Sequence, residues 1–247
     1  MGDGGFFEMM SLPVLERDAV SVLQVIQRGG VALVQTQTGY GLVAMRSEGV
    51  KRIYELKGRP SEKPCVTVGT MEILDQVTTG IDPATRAWLA VATAAWPLAV
   101  IAALRRESHL LASFEPFVAA QCTKVDTIAT FFGVGALISK VASMARSQGQ
   151  LVVGSSANLA GTGNNYRLED VPSSMRSGVD LELDYGPAHF TSGDKLASTI
   201  LDLTKGTFQR KGVHFDEIAQ SWKAFSTEQG RSKQALSTAQ TPTLLAS

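Results

Sequence analysis

Residues 134–161, VGALISKVASMARSQGQLVVGSSANLAG, decide the fold. Val134, Leu137, Ile138, Val141 and Met144 recur at helical spacing as far as Gly149, and residues 151–153 are then continuously apolar. A helix that hands directly to a buried strand is the building step of an α/β protein. This strand runs into Ser155, Ser156 and Asn158, two hydroxyls and a carboxamide, in a segment expected to turn with its backbone amides exposed.

The same alternation extends in both directions. Residues 18–28 carry Ala19, Val22, Leu23 and Ile26 on one helical face and stop at Gly29-Gly30, after which 31–34 read as a strand. Ser47 is expected to cap a helix bearing Val50, Ile53 and Tyr54, whose C-terminal end delivers Lys57-Gly58-Arg59-Pro60 and then Lys63-Pro64 before a strand at 65–68. Residues 87–104 are almost wholly apolar and precede Arg105-Arg106, the outline of a membrane span. The alanine content and Pro97 argue instead for a helix opened by Asp82-Pro83, followed by a core strand at 98–104. A further strand is expected at 199–203. Phe215, Ile218, Trp222 and Phe225 form a closing amphipathic helix, and 226–247, polar and aperiodic, is expected to be disordered. Residues 1–11 read as an N-terminal extension without a signal-peptide pattern.

Composition narrows the class. The 247 residues, 44% hydrophobic and 19% charged, suffice for one large domain, here bounded at 12–225. Basic and acidic residues balance at 23 each, so no global field draws the chain to nucleic acid or to an anionic membrane. Two cysteines, Cys65 and Cys122, make neither a disulfide framework nor a metal cluster, and His109, His189 and His214 are scattered, so no metal site is expected. A reducing, cytoplasmic location is the expectation.

Lys57 and Arg59 about Gly58, with Lys63, face the hydroxyls of Ser155 and Ser156 and the amide of Asn158 as two sides of a pocket for a phosphate-bearing ligand. Plainer readings stand beside this one. The basic pair suits a solvated helix end, the serines a local turn, and Thr36 and Thr38 simple alternation along a strand. The run Lys51, Arg52, Lys57, Arg59 and Lys63 admits an RNA contact equally with solvation.

The order and spacing of the motifs resemble the YrdC-like family. Residues 29–42, GGVALVQTQTGYGL, are similar to its opening GG-apolar-PT(D/E)T-x-YGL segment. KGRP-x-x-KP at 57–64, SAN-x-x-G at 156–161, STILD at 198–202 and RKGV at 210–213 follow in the family's order. The resemblance covers 12–225 and implies an α/β fold, a twisted mixed β-sheet flanked by helices, with a large central cavity. Family members that act as threonylcarbamoyl-AMP synthases join L-threonine, bicarbonate and ATP, with Mg2+, and release pyrophosphate. Their product serves tRNA modification by a partner enzyme. By position, the resemblance places Lys57, Arg59, Lys63, Ser155, Ser156, Asn158 and Ser198 on ATP, with Lys57, Arg59, Ser156 and Asn158 as the catalytic set. Thr36, Thr38 and Tyr40 fall on the threonine side. Lys124 stands nearest to the arginine of the family's R-x-P strand.

Adenylation needs no side-chain nucleophile, only an acceptor held in line with the α-phosphorus and cations on the leaving pyrophosphate. Lys57 and Arg59 are expected at the cavity rim for that purpose. The acceptor end departs from the family pattern: Gln35 and Gln37 replace a proline and an acidic residue, Gly39 replaces a side chain, and PGP-x-T is reduced to Trp96-Pro97-Leu98-Ala99. Three functions follow: a working threonylcarbamoyl-AMP synthase, a repurposed enzyme with another small substrate and a less polar or enlarged pocket around Gly39 and Ala99, or a noncatalytic nucleotide- or RNA-binding protein.

Overall fold

Alternate residues of the central strands are apolar on both faces, so the sheet must be covered twice. A computed structural model, which describes residues 12–58 and 64–239, has this arrangement. Helix α1 (Leu12–Gln27) leads into a hairpin of β1 (Ala32–Thr36) and β2 (Gly39–Ala44), then α2 (Ser47–Lys57) and β3 (Val66–Val68). The chain continues through α3 (Met71–Val77), β4 (Thr78–Thr79), α4 (Pro83–Ala95), β5 (Leu98–Leu104) and α5 (Pro116–Cys122). The hairpin of β6 (Thr123–Lys124) and β7 (Thr127–Phe131) precedes α6 (Ala136–Ser147) and β8 (Val153–Ser156). Last come α7 (Ser173–Arg176), β9 (Leu181–Leu183), β10 (Thr199–Asp202), β11 (Thr207–Arg210) and α8 (Phe215–Ala239).

The strands form one mixed sheet in the order β11-β10-β5-β7-β3-β8-β2-β1-β9, with β4 added to β5 and β6 to β7. On one face Ala32, Val34 and Val43 pack against Ala19, Val22 and Ile26 of α1 and Ile138 and Val141 of α6. The intervening residues Val31, Leu33, Leu42 and Val153 face Val50 and Ile53 of α2 and Val118 of α5. Farther along, Leu98, Val100 and Leu201 meet Leu74 of α3, Leu89 of α4 and Ile218 of α8. Each of these valine, leucine and isoleucine side chains, fully removed from water, contributes about 1.5–3 kcal/mol.

Most sequence expectations for the elements hold, and the differences have local causes. The apolar stretch at 87–104 divides at Trp96-Pro97 into α4 and β5, with the Asp82 carboxylate accepting from the Ala84 and Thr85 amides at 3.0 Å. Among the described residues no helix is long and apolar enough to cross a membrane. Ser47 does not cap α2. It is the first helical residue, its amide donates to Glu115 Oε2 of the neighbouring α5 turn at 2.9 Å, and Arg46 holds the N-cap position without a side-chain bond. Gly58 ends that helix at φ 53°, left-handed backbone that glycine adopts without a Cβ clash. Ser155 and Ser156 are strand residues, not a turn, because their backbones pair with Leu42 and Gly41 of β2. The closing helix does not stop at Phe225 but runs through 226–239, contrary to the expected disorder. Its Ala, Glu, Gln, Lys and Arg residues are strong helix formers, and no proline intervenes before Pro242. The N-terminal extension, 1–11, and residues 240–247 lie outside the described residues.

Candidate functional site

Beside the start of α6, whose Ile138 lines it together with Val134, the face of the sheet borders a cavity of about 320 Å3. The sheet order gives it a simple polarity. Strands β5, β7 and β3 lie side by side in the middle and contribute Ala99 and Ile101, Ala129 and Phe131, and Val66 and Val68, an apolar floor. Toward one edge, Ser198 and Arg210 border the cavity beside β10 and β11. Toward the other, β8, β2 and the β1–β2 turn bring Ser155, Ser156, Thr36, Thr38 and Tyr40. Among the described lining residues Arg210 carries the one formal charge.

The Thr36–Tyr40 turn is held by its own polar groups. Thr36 Oγ1 donates to Gly39 O at 2.6 Å and accepts from the Thr38 amide at 3.3 Å, so its hydroxyl serves the turn. Tyr40 donates its phenol to Asp184 and lies 2.9 Å from Gly186 O; burial, then this carboxylate, pushes its pKa well up and keeps it protonated. Gln35 reaches the same segment through Pro187 O at 2.7 Å. From the loop after β8, Asn164 donates to Thr38 O and Asn165 to Ala157 O, both at 2.7 Å, while the Tyr40 amide donates to Asn165 O at 2.9 Å. This clasp explains Gly39. With φ 132°, an ideal Cβ there would sit 2.7 Å from Asn165 O. The missing side chain therefore admits the neighbouring backbone and does not enlarge the pocket; Ala99, by contrast, does border the cavity.

Lys57 is not at the rim. It is 3% exposed, and its ammonium donates to Ser156 O, to Asn158 O at 2.8 Å and to Asn158 Oδ1 at 3.3 Å. Helix α2 packs beside β2, β2 pairs with β8, and the Ala160 amide donates to Lys57 O, so the lysine stem leads inward beneath the strand end. Ser156 in turn donates its hydroxyl to Asn158 Oδ1, and the Asn158 amide donates to Leu159 O at 2.8 Å. Ser156 thus faces the cavity, with Asn158 and Lys57 standing behind it and fixing the loop. Arg59 and Lys63 lie outside the described residues. Lys124 is exposed at the end of β6 and does not border the cavity, because β6 is a two-residue strand that turns back at once through Val125 and Asp126.

The sequence reading also missed contributors. Arg210 donates to Ser198 O at 2.9 Å and to its hydroxyl at 3.1 Å, joining two motifs that were noted separately. Gly212 permits that approach, since a Cβ there would lie 2.2 Å from Ala197 O. Asn164 and Asn165 had only the signature of a polar loop, and nothing in their spacing announces a clasp across the sheet.

A sequence profile described as the Sua5, YciO and YrdC family, "telomere recombination", matches residues 24–212. No curated protein matches the chain in sequence. Among solved structures, Pyrococcus abyssi Sua5 in complex with L-threonine superposes with a TM-score of 0.63 at 20% identity, over 80% of this chain and 54% of that one. The hypothetical protein smu.1377c of Streptococcus mutans gives 0.68 at 19% identity over 83% and 90%, and Escherichia coli YciO 0.60 at 16% over 80% and 90%. The match thus spans little more than half the length of the Sua5 chain. At these identities the structures establish the likeness of fold.

Proposed function

The chain belongs to the Sua5/YciO/YrdC family, and on that premise we propose that it is a threonylcarbamoyl-AMP synthase-like enzyme. Its substrates in this reading are a small amino acid, L-threonine first, with bicarbonate and ATP. The observation that carries the reading is one cavity bordered both by the Thr36–Tyr40 turn and by Ser155, Ser156, Ser198 and Arg210.

The chemistry asks little of side chains as reagents. The amine nitrogen bonds to the bicarbonate carbon and water leaves. A carbamate oxygen then bonds to the α-phosphorus of ATP, the bond to the β-phosphate oxygen breaks, and pyrophosphate departs. Serine hydroxyls and a guanidinium are a donor set suited to phosphate oxygens, so the residues present fit a nucleotide. The described lining offers no carboxylate, so magnesium would be carried by the phosphates themselves and would supply charge neutralisation. Arg59 and Lys63 are assigned to the phosphates by their family motif. Lys57, buried behind the loop, is assigned the positioning of Ser156 and Asn158. The carbamoyl-adenylate would be consumed by a partner enzyme of tRNA modification.

The apolar floor favours a second reading, the same fold and activation chemistry with a different small substrate. Pyrophosphate release from ATP by the purified chain, with bicarbonate and magnesium, with and without L-threonine, tests the first. Threonine-dependent pyrophosphate with threonylcarbamoyl-AMP identified by mass is the expected result; its absence from folded protein refutes a threonine-dependent synthase.

A further inference from the structure

We propose that Thr199 is a positioning residue for Arg210, holding from the opposite face of the sheet the one formally charged group on the described cavity lining. The inference deepens the reading above and rests on it, since the guanidinium is there part of the donor set for phosphate oxygens. Side chains alternate along 198–201, so Ser198 and Ile200 border the cavity. Thr199 lies on the other face, with Leu98, Val100 and Leu201, which pack in the apolar cluster of Leu89 and Ile218. A hydroxyl buried among such neighbours is costly unless its hydrogen-bonding capacity is used.

It is used twice, and on one segment. The fully buried Thr199 hydroxyl accepts from the Gly212 amide and donates to Val213 O, each at 3.1 Å. The Val213 amide donates to Ala197 O at 2.9 Å, and Gly212 lies so close to this backbone that a Cβ would stand 2.2 Å from Ala197 O and 2.4 Å from the Thr199 nitrogen. Residues 210–213 therefore wrap the 197–199 backbone. Arg210 grips the carbonyl and hydroxyl of Ser198, which borders the cavity, and Thr199 ties Gly212 and Val213 from the far face. The guanidinium is a planar fork whose direction decides which oxygens it meets. Without the Thr199 hydroxyl, the Gly212 amide and the Val213 carbonyl lose this partner inside the fold, and the segment shifts and carries Arg210 with it. Thr199 makes and breaks no bond of the reaction; its effect runs through Arg210.

The test is a double-mutant cycle, read by calorimetric titration of the full chain with a non-hydrolysable ATP analogue and magnesium. Urea unfolding of each variant and threonine-dependent pyrophosphate release are measured in parallel. Thr199→Val keeps the shape and removes the hydroxyl, and nucleotide affinity should fall by about 10-fold. Thr199→Ser keeps the hydroxyl and should bind as the wild type does. Arg210→Met should lose about 10- to 100-fold by itself, and adding Thr199→Val to it should cost no further affinity. A folded Thr199→Val that is less stable yet binds as wild type would overturn the inference, as would losses that simply add in the double variant. Coupled losses in a protein that releases no pyrophosphate would uphold the positioning role and refute the synthase reading; active enzyme with full affinity in Thr199→Val would do the reverse. Unchanged affinity in Arg210→Met would overturn the inference together with the phosphate role of that guanidinium. If Thr199→Val does not fold, hydrogen exchange of the wild-type chain decides. Nucleotide should slow the Gly212 and Val213 amides about 10-fold beyond those of α4, and equal slowing would overturn the inference.

Discussion

The two segments that meet at the cavity from β1–β2 and from β8 are secured by opposite means. The Thr36–Tyr40 turn is fixed by separate hydrogen bonds, most of them neutral, two of them within the turn and one from the Tyr40 phenol to the Asp184 carboxylate. The Ser156–Asn158 segment is fixed from behind by a buried ammonium whose partners are carbonyl oxygens. A neutral clasp can fail one bond at a time, but a buried charge and the oxygens that satisfy it stand or fall together. Shape at the acceptor end is therefore graded, and shape at the serine end is nearly all-or-none.

Removing the cation should have the largest effect. Lys57→Met keeps much of the buried stem and deletes the charge, leaving Ser156 O and Asn158 O without it. We expect a loss of about 3 kcal/mol in urea unfolding, with nucleotide binding lost too because the Ser156 loop is released. A phosphate ligand at the rim would predict weakened binding and unaltered stability. That second pattern would return Lys57 to the rim.

A smaller break is available in the neutral clasp. Gly39→Ala places a Cβ against Asn165 O and forces alanine to φ 132°, so a cost of about 1–3 kcal/mol is expected, with the turn displaced from Asn164 and Asn165. Amino-acid affinity should fall while nucleotide affinity holds. If both fell together, the two segments would be one cooperative unit and the contrast drawn here would fail.

The turn also has a pH signature. Burial and the Asp184 carboxylate raise the Tyr40 pKa, and burial with Asp18 does the same for Tyr185. An unfolded tyrosine ionises near pH 10 while the folded phenols keep their protons, so the folded state binds more protons there. Their contribution is complete below about pH 10 and is lost as pH rises further, so unfolding free energy should decline in that range. Tyr40→Phe should cost about 1 kcal/mol at neutral pH and flatten the alkaline decline. An unaltered slope would mean that the phenol ionises equally in both states.

How far the sequence discloses this molecule depends on the range of the interaction concerned. Strand β5 and the cap of α4 follow from runs of neighbours, an apolar stretch and an Asp-Pro pair, and both stand as read. Ser155 and Ser156, singled out by a contiguous motif, do border the cavity, yet they were not legible as strand residues, since their pairing partners Leu42 and Gly41 are more than a hundred positions away. Lys57 misled for a different reason. Lysines are almost never buried, and only the carbonyls of a distant loop make this one an exception. Arg210 needed both the register of β10 on β11 and the bare backbone of Gly212 to reach Ser198.

The smallest expected effect tests the opposite error. Lys124 looked like a cation of the acceptor end because it lies near the place of a missing arginine, but its side chain is exposed on a hairpin tip where Val125 and Asp126 both take left-handed backbone. Solvent screens a charge so placed, and no cavity wall depends on it. Lys124→Ala should leave the melting temperature and the affinities for nucleotide and amino acid unchanged within error. A several-fold loss of amino-acid affinity would require the hairpin to fold over the cavity when ligand binds, and the acceptor end would then be completed by charge and not by Val134 and Ile138. An unchanged affinity leaves that end to the groups that line the cavity, the Thr38 hydroxyl and the Val134 and Ile138 side chains among them.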